Sequence, residues 1–87
     1  MKTDLDVDTV RRDTDRLMIV AFNMVKGELG CSSDHELAAR LGLSASYTHH
    51  VTGTRSWPAA SMHRIAAASG RTVDALLGDA RALAAAA

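Results

Sequence analysis

Eighty-seven residues make one small domain, which can bury only about 60–65% of its unfolded surface and is marginal alone or helped by dimerisation. No apolar run approaches the roughly 18 residues of a membrane span, the acidic start at Asp4, Asp6 and Asp8 argues against a secretory signal, and a lone Cys31 cannot form an internal disulfide, so a cytoplasmic setting is expected. Ten basic against ten acidic side chains leave no net charge, so any attraction to nucleic acid must come from how the charges are distributed.

In chain order, residues 1–8 read as a mobile acidic end, and Asp4, Asp6, Asp8 and Thr9 offer caps and favourable charge for a first helix at about residues 9–28. Its window LMIVAFNMV is apolar at every position but Asn23. One stripe, Leu17, Val20, Ala21 and Met24, suits the core. A second, Met18, Phe22, Val25 and Leu29, lies about 100° round the helix and would be only partly covered. A more fully wrapped helix, a dimer surface on the second stripe, or a β-strand at LMIVAF are the three readings of that run. Cys31 reads as a small hydrophobe linking helices rather than as a nucleophile.

Ser33 and Glu36 form an S-x-x-E capping box for a second helix, whose Leu37, Ala38 and Leu41 mark a buried face. Gly42 follows, at the left-handed position that ends a helix. Ser44 is a capping candidate for a third helix, which carries Ser46, Tyr47, His49 and His50 on its polar sides and Val51 inward. After the loop TGTRS, Trp57-Pro58 opens a fourth helix, with Ser56 as a cap and Met62, Ile65, Ala66 and Ser69 on its inner face. Gly70 stops it. Thr72 caps a short fifth helix with Val73, Leu76 and Leu77 inward, and after Gly78 the Ala-rich tail at 79–87 either frays or extends that helix.

The charge is unevenly distributed. Residues 1–36 hold five basic and eight acidic side chains, whereas residues 37–87 hold five arginines against Asp74 and Asp79. From Leu37 to Val73 no carboxylate occurs, while Arg40, Arg55, Arg64, Arg71, His49, His50 and His63 all lie there. A surface for phosphates needs such a gap, because carboxylates would offset the gain from releasing counterions.

Leu37-Ala38, Leu41-Gly42-Leu43-Ser44, Val51, Gly53, Arg55, Pro58, Ile65-Ala66, Gly70, Val73 and Leu76 together resemble the phage Cro and repressor (XRE-like) helix-turn-helix family, over about residues 33–78. Asp34 stands where that family often has a phosphate-contacting glutamine, Thr48 where it has a buried Ile or Val, Thr52 where an acidic residue is common and Arg71 where an apolar one is. The resemblance implies an all-α, compact five-helix lambda-repressor-like DNA-binding domain at 9–78, with the helix-turn-helix at helices 2 and 3. It implies a sequence-specific regulator of transcription, a repressor of phage, prophage or plasmid type, acting as a homodimer on a double-stranded DNA operator without a cofactor. An antitoxin-like module with a protein partner and autoregulatory DNA binding is the alternative. A related protein that has lost DNA binding is a third.

On this reading the base-reading candidates are Ser44, Ala45, Ser46, Tyr47, His49 and His50, and the phosphate candidates are Arg40, Thr54, Arg55, Ser56 and Trp57. Tyr47 either reaches the backbone or packs its ring on the helix pair, and Trp57 is either a contact or an anchor at the edge of the core. The spacing of Cys31, His35, His49, His50 and His63 matches no standard zinc arrangement. Nothing resembles a phosphate-cradling glycine loop, a nucleophile elbow or a catalytic triad, so no enzyme is expected. The dimer surface is expected either on the stripe of Met18, Phe22, Val25 and Leu29 or on the last helix with Leu76, Leu77 and Leu83, and the resemblance favours the latter.

Overall fold

The apolar window at residues 17–25 is helix, not strand. In the computed structural model, which describes residues 3–86, it lies inside α1, Thr3–Glu28, and no strand occurs among the described residues. Met1 and Lys2 of the expected mobile end lie outside the described residues. From Thr3 the backbone is already helical, six residues before the expected start. Asp4, Asp6 and Asp8 therefore fall inside this helix and not ahead of it.

Four shorter helices follow: α2, Asp34–Leu41; α3, Tyr47–Val51; α4, Ala59–Ala68; and α5, Val73–Ala86. α5 lies along α1 in the opposite direction, with Arg71 beside Glu28 at one end and Ala84 near Asp13 at the other. The Ala-rich tail thus extends the last helix through Ala86. Gly78 stays within it, because Ala80 is sealed against α1 and Asp79 pairs with Arg71 at 2.7 Å.

The core reverses the expected assignment of the two stripes. Met18, Ala21, Phe22 and Val25 are completely buried, while Leu17, Val20 and Met24 are only partly covered. Phe22 is the hub: its ring lies 5.8 Å from that of Trp57 and 6.4 Å from that of Tyr47. Leu37, Ile65 and Leu76 close the core from α2, α4 and α5. Met18, Phe22 and Val25 are therefore unavailable as a dimer surface, and so is Leu76. At 3.6 residues per turn, Ala21 and Val25 stand opposite the exposed Asn23, the one polar position of the apolar window.

The connection from α2 to α3 is rigid for local reasons. Ser33 caps α2 by accepting the Glu36 N–H at 3.0 Å. The reciprocal half of the box is shifted by one residue: the Glu36 carboxylate accepts from the Ser32 N–H and hydroxyl, at 2.9 and 2.8 Å. These bonds hold its pKa below the usual value, and the exposed carboxylate stays charged. Gly42 ends α2 with φ 70°. Arg64 of α4 then donates from Nη1 to the carbonyls of Leu41 and Gly42, at 3.1 and 3.2 Å, and a Cβ at Gly42 would sit 2.9 Å from that nitrogen.

Candidate nucleic-acid interface

α3 begins later than expected. Ser44 does not cap it; its hydroxyl lies 2.6 Å from that of Ser46, which occupies the N-cap position without a side-chain cap bond. Residues 44–46 instead form a tight turn whose carbonyls accept from Tyr47, Thr48 and His49, three positions on. The turn and the helix form one short rod. Tyr47 and Val51 face Phe22 and the rest of the core, and the opposite side is open to solvent.

That open side carries Ala45, Thr48, His49 and Thr52, at positions i, i+3, i+4 and i+7. Thr48 and Thr52 were absent from the sequence-based set. Thr48 occupies a position that the resembling family fills with a buried aliphatic residue, yet here it is exposed, with its hydroxyl on the Ala45 carbonyl. The four-residue spacing was the available signal. Ser44 and Ser46 lie at the start of this face, Ser46 being half-buried.

His50 corrects the base-reading set. It is only 6% exposed, its ring lies 5.3 Å from that of Trp57, and its Nδ1 is 3.4 Å from the Arg55 carbonyl. A side chain sealed in this way cannot reach a base edge. Adjacent helical residues differ by about 100°, so one histidine of the pair turns inward and the other, His49, outward. Tyr47 is half-buried with its ring on Phe22.

The loop after α3 folds back onto it. Thr54 Oγ donates to the His49 carbonyl at 3.0 Å and lies 3.5 Å from His49 Nδ1, and the Arg55 N–H donates to the same carbonyl. Arg55 is exposed, and its guanidinium has no partner among the described residues. Ser56 and Trp57 are held by α1. The Asp15 carboxylate accepts the Ser56 hydroxyl at 2.8 Å and the Trp57 N–H at 3.0 Å. Ser56 therefore caps nothing, and Pro58 stands at the N-cap of α4. Trp57 is 5% exposed, with its indole Nε1 buried and unpartnered. It anchors the core and is not a surface contact.

Most arginines that made residues 37–73 look basic are occupied. Arg40 is exposed but donates from Nη1 to the Leu29 carbonyl at 3.0 Å, just past the end of α1. Arg64 caps α2. Arg71 makes a two-pronged pair with Glu28, at 2.7 and 2.9 Å, and a further bond to Asp79; its pKa is raised chiefly by the bond to Glu28, whose own is lowered. At the start of α2, Asp34 pairs with Lys26 at 2.7 Å and Glu36 remains anionic, so this helix end does not present the bare positive pole that an anion would seek.

The loop also lies across α1. Ile19 Cδ1 is 3.9 Å from where a Cβ on Gly53 would be, and Gly53, at φ 81°, lets the chain turn at that point. Arg12, Asp15, Arg16, Ile19 and Gly53 line an open groove of about 340 Å³. A second groove of about 290 Å³, mainly apolar, runs between α1 and α5, lined by Asp13, Arg16, Leu17, Val20, Arg81 and Ala84. Val10 and Leu83 are the large exposed apolar side chains among the described residues, at 62% and 51%. Among the described residues no three His, Cys, Asp or Glu side chains come together as a metal site, and no helix is long and apolar enough to cross a membrane. Compared with protein-family models, curated proteins and solved structures, the chain matches none.

Proposed function

We propose that this protein is a sequence-specific double-stranded DNA-binding regulator of transcription, of the repressor type, with α2 and α3 as a lambda-repressor-like helix-turn-helix. The observation that carries the reading is the open face of α3. Ala45, Thr48, His49 and Thr52 are exposed on a short rod that core packing holds in place, and the face continues without a carboxylate into Thr54 and Arg55. Hydroxyl, imidazole and methyl groups suit the edges of bases in a groove about 12 Å wide. Arg55, with its guanidinium unengaged, suits a phosphate beside that groove. The protein acts by binding, not catalysis, in the compartment that holds its DNA.

Two copies on a pseudo-palindromic site would place their α3 rods about one helical turn apart. The apolar groove between α1 and α5 is the surface on which a second copy would dock. An antitoxin-like module is the second reading, because the same groove would equally take a helix of a protein partner.

Footprinting on DNA upstream of the protein's own gene tests the reading. Protection of two half-sites about one turn apart supports it. Arg55→Ala should then weaken all sequences alike and lower the magnitude of the salt slope of log K by about 0.9. Equal, weak binding to every DNA fragment, with no protected site, would overturn specific recognition.

A further inference from the structure

We infer that α1 is a second wall of the DNA interface, and that Arg12 and Arg16 on it contact backbone phosphates beside those met by Arg55. The inference rests on the reading of α3 and its loop as the DNA-facing surface. It adds residues from the half of the chain whose charge balance is acidic.

Continuity is the first argument. Thr54 joins His49 of α3 to the loop, and Gly53 of the same loop lies against Ile19 of α1, in a groove whose other walls are Arg12 and Arg16. An unbroken surface therefore runs from α3 across the loop to one face of α1. Arg12 and Arg16 are one turn apart on that face, about 6 Å along the axis. Both are exposed, and neither has a side-chain partner among the described residues.

The second argument is charge. The arginines of α2, α4 and the start of α5 are bound to carbonyls or carboxylates of the chain itself. The unengaged guanidinium groups near the loop are those of Arg12, Arg16 and Arg55. The one carboxylate lining the groove, that of Asp15, has both oxygens taken by Ser56 and Trp57. Asp13 lines the neighbouring groove with Arg16, so three arginines stand against two carboxylates, one of them internally bonded, and the strip keeps a positive balance although the chain as a whole is neutral. Such a strip beside an open face of hydrogen-bonding side chains fits a polyanion backbone.

The test is the salt dependence of binding of the full chain to a mixed-sequence DNA duplex about two turns long, by fluorescence anisotropy. Each contacted phosphate contributes about 0.9 to the slope of log K against log salt. Arg12→Gln and Arg16→Gln should each lower its magnitude by about 0.9, and the double variant by about 1.8. Lys26→Gln removes the same charge from the far end of α1, where Lys26 pairs with Asp34 at 2.7 Å, and should leave the slope unchanged. Circular dichroism and sedimentation on each variant establish that fold and assembly are intact. Wild-type binding with an unaltered slope in the double variant overturns the role of α1 and leaves the α3 reading standing. Equal slope losses for Lys26→Gln and Arg12→Gln also overturn it, since net charge alone would then govern. No binding by the wild type defeats both readings together.

Discussion

Replacing Asp15 by Ala will release the loop between α3 and α4 while leaving the buried side chains of the core in place. Asp15 holds that loop across more than 40 residues of sequence through two bonds, from the Ser56 hydroxyl at 2.8 Å and the Trp57 N–H at 3.0 Å. A hydrogen bond to a charged group contributes about 1.5–3 kcal/mol. The Ser56 bond is exposed and belongs at or below the lower end, whereas the Trp57 amide is partly buried and would lose its acceptor. Together they amount to about 2–4 kcal/mol, a large part of the 5 kcal/mol or so expected of a small domain. With a urea dependence of about 1 kcal/mol per molar, the midpoint should fall by about 2 M or more. Asp15→Asn keeps one acceptor oxygen and should lose about half as much. Both variants remove the same negative charge from beside Arg12 and Arg16. Asp15→Asn should therefore bind mixed-sequence DNA more tightly, while Asp15→Ala should forfeit that gain because Arg55 is no longer held. An Asp15→Ala stability within about 0.5 kcal/mol of wild type would refute the tether.

Phe22→Ala should cost about 3–5 kcal/mol in urea unfolding and Leu17→Ala less than half of that; similar costs would contradict the assignment of the inner face. His49→Ala should lose about 1–3 kcal/mol on a preferred site with unchanged stability, while His50→Ala should lower the melting temperature; the reverse pattern would exchange their roles. Glu28 and Glu36 are held below their usual 4.5, by the Arg71 bond and by the two Ser32 bonds respectively. Their contribution to stability is thus present above about pH 4.5 and is lost as pH falls through the folded-state values. The Glu28→Gln/Glu36→Gln variant should flatten the acid limb of the melting curve against pH, and an unaltered limb would remove these bonds as its cause.

Where a feature depended on nearby residues, it could be read from the sequence. The Ser33 cap, the left-handed Gly42 and the Thr72 cap, which accepts the Ala75 N–H at 3.1 Å, each need only residues within a turn or two. The inner face of α1 was misread because an almost wholly apolar window offers two equivalent stripes, and which one is sealed depends on where α4 and α5 arrive. Within the window Asn23 was the available signal, since Ala21 and Val25 lie on the side opposite it. His50 was misread because two adjacent histidines look alike in sequence. Its inward turn follows from Trp57, seven residues on, which gives the imidazole a ring to pack against.

The charged residues were the least legible part, and the reason is physical. A helix leaves its last carbonyls without partners, and a guanidinium that reaches one is no longer wholly available to a ligand. Arg40 reaches Leu29 over 11 residues, Arg64 reaches Leu41 over 23, and Arg71 reaches Glu28 over 43. No local spacing rule connects such pairs, so a basic balance counted over residues 37–87 overstates the positive charge that part of the chain presents. The opposite error arises in residues 1–36. There the count is acidic, but Asp34 and Glu28 are paired and Asp15 is bonded to the loop, which leaves Arg12 and Arg16 beside Gly53. The field a phosphate would meet is set by which charges remain unbonded after folding, and Arg12, Arg16 and Arg55, unpartnered among the described residues, are those the proposed interface uses.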